Sequence, residues 1–239
     1  MVRTIYIVIL CYFLLGGLGF YFINRNKEKD LARKSWTKFV TYFFIINILF
    51  FSIVVNPLVF RMIGVVILAI GTAELIKLYT KTGLHSTLFF IGSISVFAVL
   101  AVGFWTFSGA EKEVLLYTVI LLSIFDAFSQ ISGQLWGKRK IAPLISPNKT
   151  IGGTVGGAAV AMLSSFYLRR LLTYDIWETL LLTGGIIFFA FAGDIAASFY
   201  KRKFNVKDFS KIIPGHGGFL DRFDSLIAGG AWVAVFLAF

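Results

Sequence analysis

The chain has 239 residues, 58% of them hydrophobic and 15% charged, with a mean hydropathy of +0.84, whereas soluble domains carry about a quarter charged residues. That balance excludes a soluble globular protein and leaves an integral membrane protein, with room for about eight spans of roughly 20 residues and no separate soluble domain. The single cysteine, Cys11, lies in an apolar stretch and excludes a disulfide framework.

Charge-free runs place most of the helices. Residues 4–24 form the first, long enough to be a retained anchor rather than a cleaved signal peptide. A second apolar run covers 39–60 and a third, 62–79, is interrupted by Glu74 and Lys77. Residues 86–110 form a fourth span, and 114–136 a fifth that contains Asp126. Residues 151–168 are rich in glycine and alanine, which permits close helix packing and allows a homodimer. Residues 177–200, carrying Asp194, and residues 220–239 complete the set. The expected fold is all-α, a polytopic membrane bundle of about eight transmembrane helices. Residues 1–110 would supply about four N-terminal helices and 111–239 a catalytic region with cytoplasmic loops, in one structural unit.

The net charge of +11 orients that bundle. If the loop after the first span is cytoplasmic, loops 25–38, 77–85, 137–150 and 201–222 hold 18 of the 23 Lys and Arg residues. Arg3, Arg61, Lys112, Arg169 and Arg170 remain on the other side. The basic balance is then a topology signal and an attraction for anionic headgroups. No nucleic-acid partner is expected, because no soluble basic domain exists to hold one.

Three acids fall inside apolar runs: Glu74, Asp126 and Asp194. An ionisable group at that depth is costly and by default faces a cavity or a partner. Lys77 lies one turn from Glu74 and is its expected partner if Glu74 is structural. Asp194, Ser198 and Lys201 are spaced to share one helix face. They open a polar block, SFYKRKFNVKDFSKIIPGHGGFLDRFD at 198–224. Asp221 and Asp224 stand three apart, so on a helix both carboxylates point the same way and repel unless a cation sits between them. Hard divalent ions such as Mg²⁺ take oxygen ligands and keep places for water and phosphate, and Asp194 would complete such a site with Asp221 and Asp224. Pro214 with Gly215, Gly217 and Gly218 leaves backbone N–H groups at a helix start, a phosphate-binding arrangement, and His216 would donate to a substrate oxygen.

A second constellation lies on the same predicted side. Asp126, Gln130 and Gln134 follow helical spacing, and the loop GKRKIAPLISPNKT covers 137–150. Its Ser146, Lys149 and Thr150 would contact phosphates at the start of the next helix. The plain alternative is an ordinary basic loop capping a glycine-rich span.

At these residues the chain resembles the phosphatidate cytidylyltransferases, or CDP-diacylglycerol synthases. The resemblance rests on Ser198, Lys201, Arg202, Lys207, Asp208, Ser210, Pro214, His216, Gly217, Gly218, Asp221, Arg222 and Asp224 in the family's order and spacing, on the SPNKT segment and on Asp126. It covers about the C-terminal half. The chain departs from the family pattern at Tyr200, at 127–130 and at 151–153.

The resemblance implies an enzyme that transfers the cytidylyl group of CTP to phosphatidic acid, releasing pyrophosphate and forming CDP-diacylglycerol by direct displacement at the α-phosphate. It implies Asp194, Asp221 and Asp224 as ligands of Mg²⁺, with a place for a second cation, and Lys201 and His216 beside them in the catalytic centre. Ser198, Arg202, Lys207, Arg222, Asp126, Ser146, Lys149, Thr150, Gly217 and Gly218 would bind CTP or lipid phosphate, in a bacterial inner membrane with the site facing the cytoplasm. Two rivals are a different CTP-using lipid enzyme, such as a CDP-archaeol synthase or polyprenol kinase, and an anion transporter. A transporter requires polar residues along a continuous path, whereas here they gather on one side.

Overall fold

The computed structural model describes residues 2–25, 28–81, 86–214 and 217–239. Its helices are α1 (Val2–Asn24), α2 (Lys29–Val55), α3 (Pro57–Lys81), α4 (Thr87–Phe107), α5 (Lys112–Trp136), α6 (Ile151–Leu168), α7 (Ile176–Lys203) and α8 (Leu220–Phe236). The all-α bundle expected from the charge-free runs is therefore the fold. Seven of these helices are long and apolar enough to cross a membrane. The eighth, α8, has 17 residues, about 25 Å at the helical rise.

Two elements differ from the sequence expectation. The run 39–60 is not one helix, because Asn56 is extended (φ −160°, ψ 111°) and Pro57 begins α3. A residue before proline is driven out of the α region, and proline suits the first helical position. The Asn56 Oδ1 also accepts the Leu58 N–H at 3.0 Å, which fixes the corner. The second difference is a β-hairpin inside the loop 137–150. Strand β1 (Lys140–Ala142) pairs antiparallel with β2 (Ser146–Thr150), Lys140 opposite Thr150 and Ala142 opposite Ser146.

Close backbone approach holds the bundle, as it must where lipid supplies no hydrophobic drive between helices. The glycines of α6 lie against α5: a Cβ on Gly157 would strike the Ser129 hydroxyl, and one on Gly153 would sit 2.7 Å from the Ser129 carbonyl. The glycine face considered for a dimer is thus covered within the chain. Helix α8 is inserted between α4 and α7, where Cβ atoms on Gly103 and Gly193 would lie 2.8 Å and 2.5 Å from Ala231 and Ala228. Polar bonds also join helices across the interior; one links the Tyr117 hydroxyl to the Thr183 hydroxyl, both buried.

Arg169 and Arg170 gain a local explanation. They form a 3-10 turn that ends α6, where cations are favoured by the helix dipole. Arg169 Nε donates to the Tyr174 carbonyl at 3.4 Å, and the Arg170 guanidinium lies 5.1 Å from the Tyr167 ring.

Candidate active site

The sequence set Asp126, Lys149 and Asp194 far apart, and the fold brings them to one cavity of about 360 Å³. Its polar end is lined by Asp126 from α5, by Ser146, Asn148, Lys149 and Thr150 from β2, by Asp194 from α7 and by Arg222 from α8. The remaining wall is apolar and comes from α1 and α2, including Ile9, Phe13, Phe20, Phe39 and Ile46, and from α5, including Ile120, Ile124, Phe125 and Phe128. One chamber therefore joins a charged pole to a hydrocarbon-like wall.

Two ion pairs organise the charged pole. Lys149 Nζ lies 2.6 Å from Asp194 Oδ2, and its ammonium is 4.8 Å from the Phe191 ring. Arg222 donates to Asp126 Oδ2 at 3.1 Å and stacks 4.9 Å from the Tyr42 ring. The Tyr42 hydroxyl donates to the Ser123 carbonyl at 3.2 Å, so the ring under Arg222 is itself held. Thr150 has two duties: it lines the cavity, and its Oγ1 caps α6 by accepting the Gly153 N–H at 3.1 Å. The expected face of Asp194, Ser198 and Lys201 exists on α7, with Ser198 Oγ donating to Asp194 Oδ1 at a long 3.4 Å.

The remaining motif residues are drawn into a latch beside the cavity. Asp221 Oδ1 accepts from Lys201 at 2.5 Å, and Asp221 Oδ2 accepts the N–H groups of Phe209 at 2.7 Å and Gly218 at 2.9 Å. Glu74, buried in α3, accepts from the Ser210 hydroxyl at 2.7 Å and from the Phe219 and Leu220 N–H groups at 3.0 and 2.8 Å. The partner expected for Glu74 was Lys77, which is exposed; the actual partners begin 136 residues away. Arg202 likewise binds the chain, donating to the Ile145 carbonyl at 3.1 Å and the Val206 carbonyl at 2.8 Å.

These bonds correct the reading of the helix start as an open phosphate cradle. Gly217 N–H donates to Ile213, Gly218 N–H to Asp221, and the next two N–H groups to Glu74. No donor is left over in that run. Glycine is required at both positions: Gly217 has φ +87°, and a Cβ on Gly218 would strike the Glu74 carboxylate. Gly215 and His216 lie outside the described residues. Lys207 and Asp208 are exposed, and among the described residues Asp208 forms no ion pair with Lys207 or Arg202.

The acids also regroup. Among the described residues no cluster of three or more acidic, His or Cys side chains is arranged to hold a metal. Both oxygens of Asp221 are engaged within the latch, Oδ1 by Lys201 and Oδ2 by two backbone N–H groups. Asp224 is buried in the first turns of α8, is bonded at Oδ1 by the Ser225 N–H at 2.7 Å, and has Asp194 and Lys201 as electrostatic neighbours. Asp194 and Asp224 together offer two hard oxygen donors beside the cavity, the protein share that Mg²⁺ takes when substrate phosphates and waters complete its shell.

Lys201 and Lys203 differ sharply for neighbours on one helix. The Lys201 side chain is 10% exposed and paired with Asp221, whereas Lys203 is exposed and lies over Phe89. Lys201→Ala strands a buried carboxylate, and breaking a buried pair costs about 3–5 kcal/mol. The expected result is a lowered unfolding midpoint and loss of turnover for Lys201→Ala, with Lys203→Ala near wild type in both. Equal behaviour of the two variants in a thermal-shift and activity comparison would reject the latch.

The sequence model of the cytidylyltransferase family matches residues 104–239. The chain belongs to this family. Its relatives include proteins named phosphatidate cytidylyltransferase from Staphylococcus epidermidis, Staphylococcus haemolyticus and Staphylococcus aureus, at 40%, 38% and 36% identity over 135 residues. That stretch is 54% of this chain and 52% of each relative, so the chain spans about half the length of the curated relatives it matches. In this member the departures from the family pattern have partners. The Tyr200 hydroxyl donates to the Leu75 carbonyl of α3 at 2.8 Å, and Ser129 faces Gly153 and Gly157 at the tight α5–α6 contact.

Sequence reasoning missed the part of the site that lies outside the matched segment. Lys38 and Tyr42 of α2 both line the cavity. Their signal was present as two polar residues one helical turn apart at the mouth of an apolar run, but charge density alone does not reveal which helix faces the site.

Proposed function

We propose that this cytidylyltransferase-family chain transfers the cytidylyl group of CTP to the phosphate of phosphatidic acid, giving CDP-diacylglycerol and pyrophosphate. The observation that carries the reading is the cavity's division into a pole holding Lys149, Arg222, Asp126 and Asp194 and an apolar wall from α1, α2 and α5. Its volume of about 360 Å³ is within the usual range of about 300–1,000 Å³ for small-molecule sites. The names of the staphylococcal relatives point the same way. The site would face the cytoplasm of a bacterial inner membrane, the side on which most Lys and Arg residues fall.

The chemistry asks little beyond position and charge. A phosphate oxygen of the acceptor is already anionic and attacks the α-phosphorus; the new P–O bond forms as the bond to pyrophosphate breaks. Lys149 spends one of its three donors on Asp194, and Arg222 one of its five on Asp126, so both keep donors for phosphate oxygens. Their carboxylate partners hold them in place before substrate arrives, which is the preorganisation that electrostatic catalysis needs. Asp194 and Asp224 would hold Mg²⁺, whose contribution is to neutralise phosphate charge. Ser146 and Thr150 line the same pole and would contact CTP. Asp221 and Lys201 act by fixing the loop and the start of α8.

The test is incubation of purified protein in detergent with Mg²⁺, phosphatidic acid and CTP labelled at the α- or γ-phosphate. The α-label should enter the lipid and the γ-label should leave as pyrophosphate. Entry of the γ-label into lipid would replace this reading with a kinase.

A further inference from the structure

Three cationic side chains line the cavity: Lys38, Lys149 and Arg222. Asp194 neutralises Lys149 and Asp126 neutralises Arg222. Lys38 is exposed and has no carboxylate partner among the described residues. It is therefore the cation at this chamber whose charge is left for a ligand. One helical turn further along α2 stands Tyr42, whose ring carries Arg222, and the apolar wall continues from there through Phe39 and Ile46. An anion held at Lys38 is thus attached to a surface suited to hydrocarbon.

We propose that Lys38 and the adjoining face of α2 form the acceptor subsite, with the lipid phosphate at Lys38 and the acyl chains along the apolar wall of α1, α2 and α5. This rests on the cytidylyl-transfer reading above and adds to it a division of labour. The matched segment, 104–239, supplies the nucleotide pole and, through α5, part of the apolar wall, and α2, outside that segment, holds the acceptor's phosphate. A nucleotide triphosphate shares the anionic chemistry, but it has no use for an apolar wall. Lys38 would also draw the lipid phosphate from the headgroup layer, where a basic side chain attracts anionic lipid.

Lys38→Ala and Lys38→Glu decide between the sources of the anion. Because the side chain is exposed, both variants should fold as wild type. Loss of one charge-assisted contact predicts about a tenfold rise in the KM for phosphatidic acid in Lys38→Ala, since about 1.4 kcal/mol is tenfold, and a larger rise in Lys38→Glu. The KM for CTP should stay within about twofold in both. A rise confined to CTP would move Lys38 to the nucleotide side, and unchanged constants for both substrates would remove it from the site. Direct binding of phosphatidic acid against phosphatidylcholine, followed by native mass spectrometry, tests the subsite apart from the reaction. If wild type does not turn over CTP, the reaction is wrong; if it turns over and Lys38→Ala still prefers phosphatidic acid to the wild-type extent, the subsite is wrong.

Discussion

Asp194→Asn is expected to lower turnover by at least about 100-fold, a typical loss for one preorganised electrostatic group, while the unfolding midpoint stays near wild type. The reason lies in how lightly Asp194 is tied into the fold. Its side chain is 35% exposed, and apart from the long Ser198 contact its bond is to Lys149, on the cavity wall. Asparagine keeps the shape and an acceptor oxygen. It loses the charge that orients the Lys149 ammonium and the anionic oxygen proposed to hold Mg²⁺. The measurement is kcat on monodisperse detergent-solubilised protein beside a thermal unfolding curve. Wild-type turnover would remove Asp194 from the catalytic centre. A collapsed midpoint would make it structural. Asp221 is the contrast: its oxygens serve Lys201 and two backbone N–H groups, so its replacement acts on the loop before it acts on chemistry.

How legible this site was depended on whether a contact was local or remote. Helix positions followed from the absence of charge, because a span is defined by what it excludes, and α6 begins and ends at 151 and 168 as expected. The same criterion joined residues 39–60 into one run, since it ignores Pro57, which carries the actual boundary. Spacing along α7 correctly put Asp194, Ser198 and Lys201 on one face. Spacing could not show that Lys201 turns to Asp221 while Asp194 turns to Lys149, because each partner sits on another element. The hairpin was hidden for a related reason. Its strands are three and five residues long, too short for periodicity to register, and its loop reads as basic and proline-stiffened. Resemblance located the motif residues but not their division into cavity wall and latch. That division is a property of which donors the backbone leaves unpaired, and only the fold decides it.

Glu74→Ala tests that division most severely. The substitution removes the acceptor of three donors at once: the Ser210 hydroxyl and the N–H groups of Phe219 and Leu220. The hydroxyl can rotate to another partner. The two N–H groups are fixed at the start of α8 and stay unpaired in a buried setting, at about 1–3 kcal/mol each. Loss of negative charge at the helix N-terminus adds to this. The expected destabilisation is about 4 kcal/mol, against about 1 kcal/mol for Ser210→Ala, which removes one replaceable bond. Limited proteolysis should then cut Glu74→Ala within residues 204–219 while Ser210→Ala resists, and turnover should fall with the cutting. Identical protease resistance and unfolding midpoints in the two variants would mean that Glu74 does not anchor the loop. The double variant adds a further constraint. Once Glu74 is gone, Ser210→Ala should cost less than it does alone, because its bond to the carboxylate has already been lost. The same logic explains a costly buried acid in α3, outside the matched segment: α8 must start at a fixed point if Arg222 is to reach the cavity, and a carboxylate from a neighbouring helix sets that point without adding a residue to the motif itself.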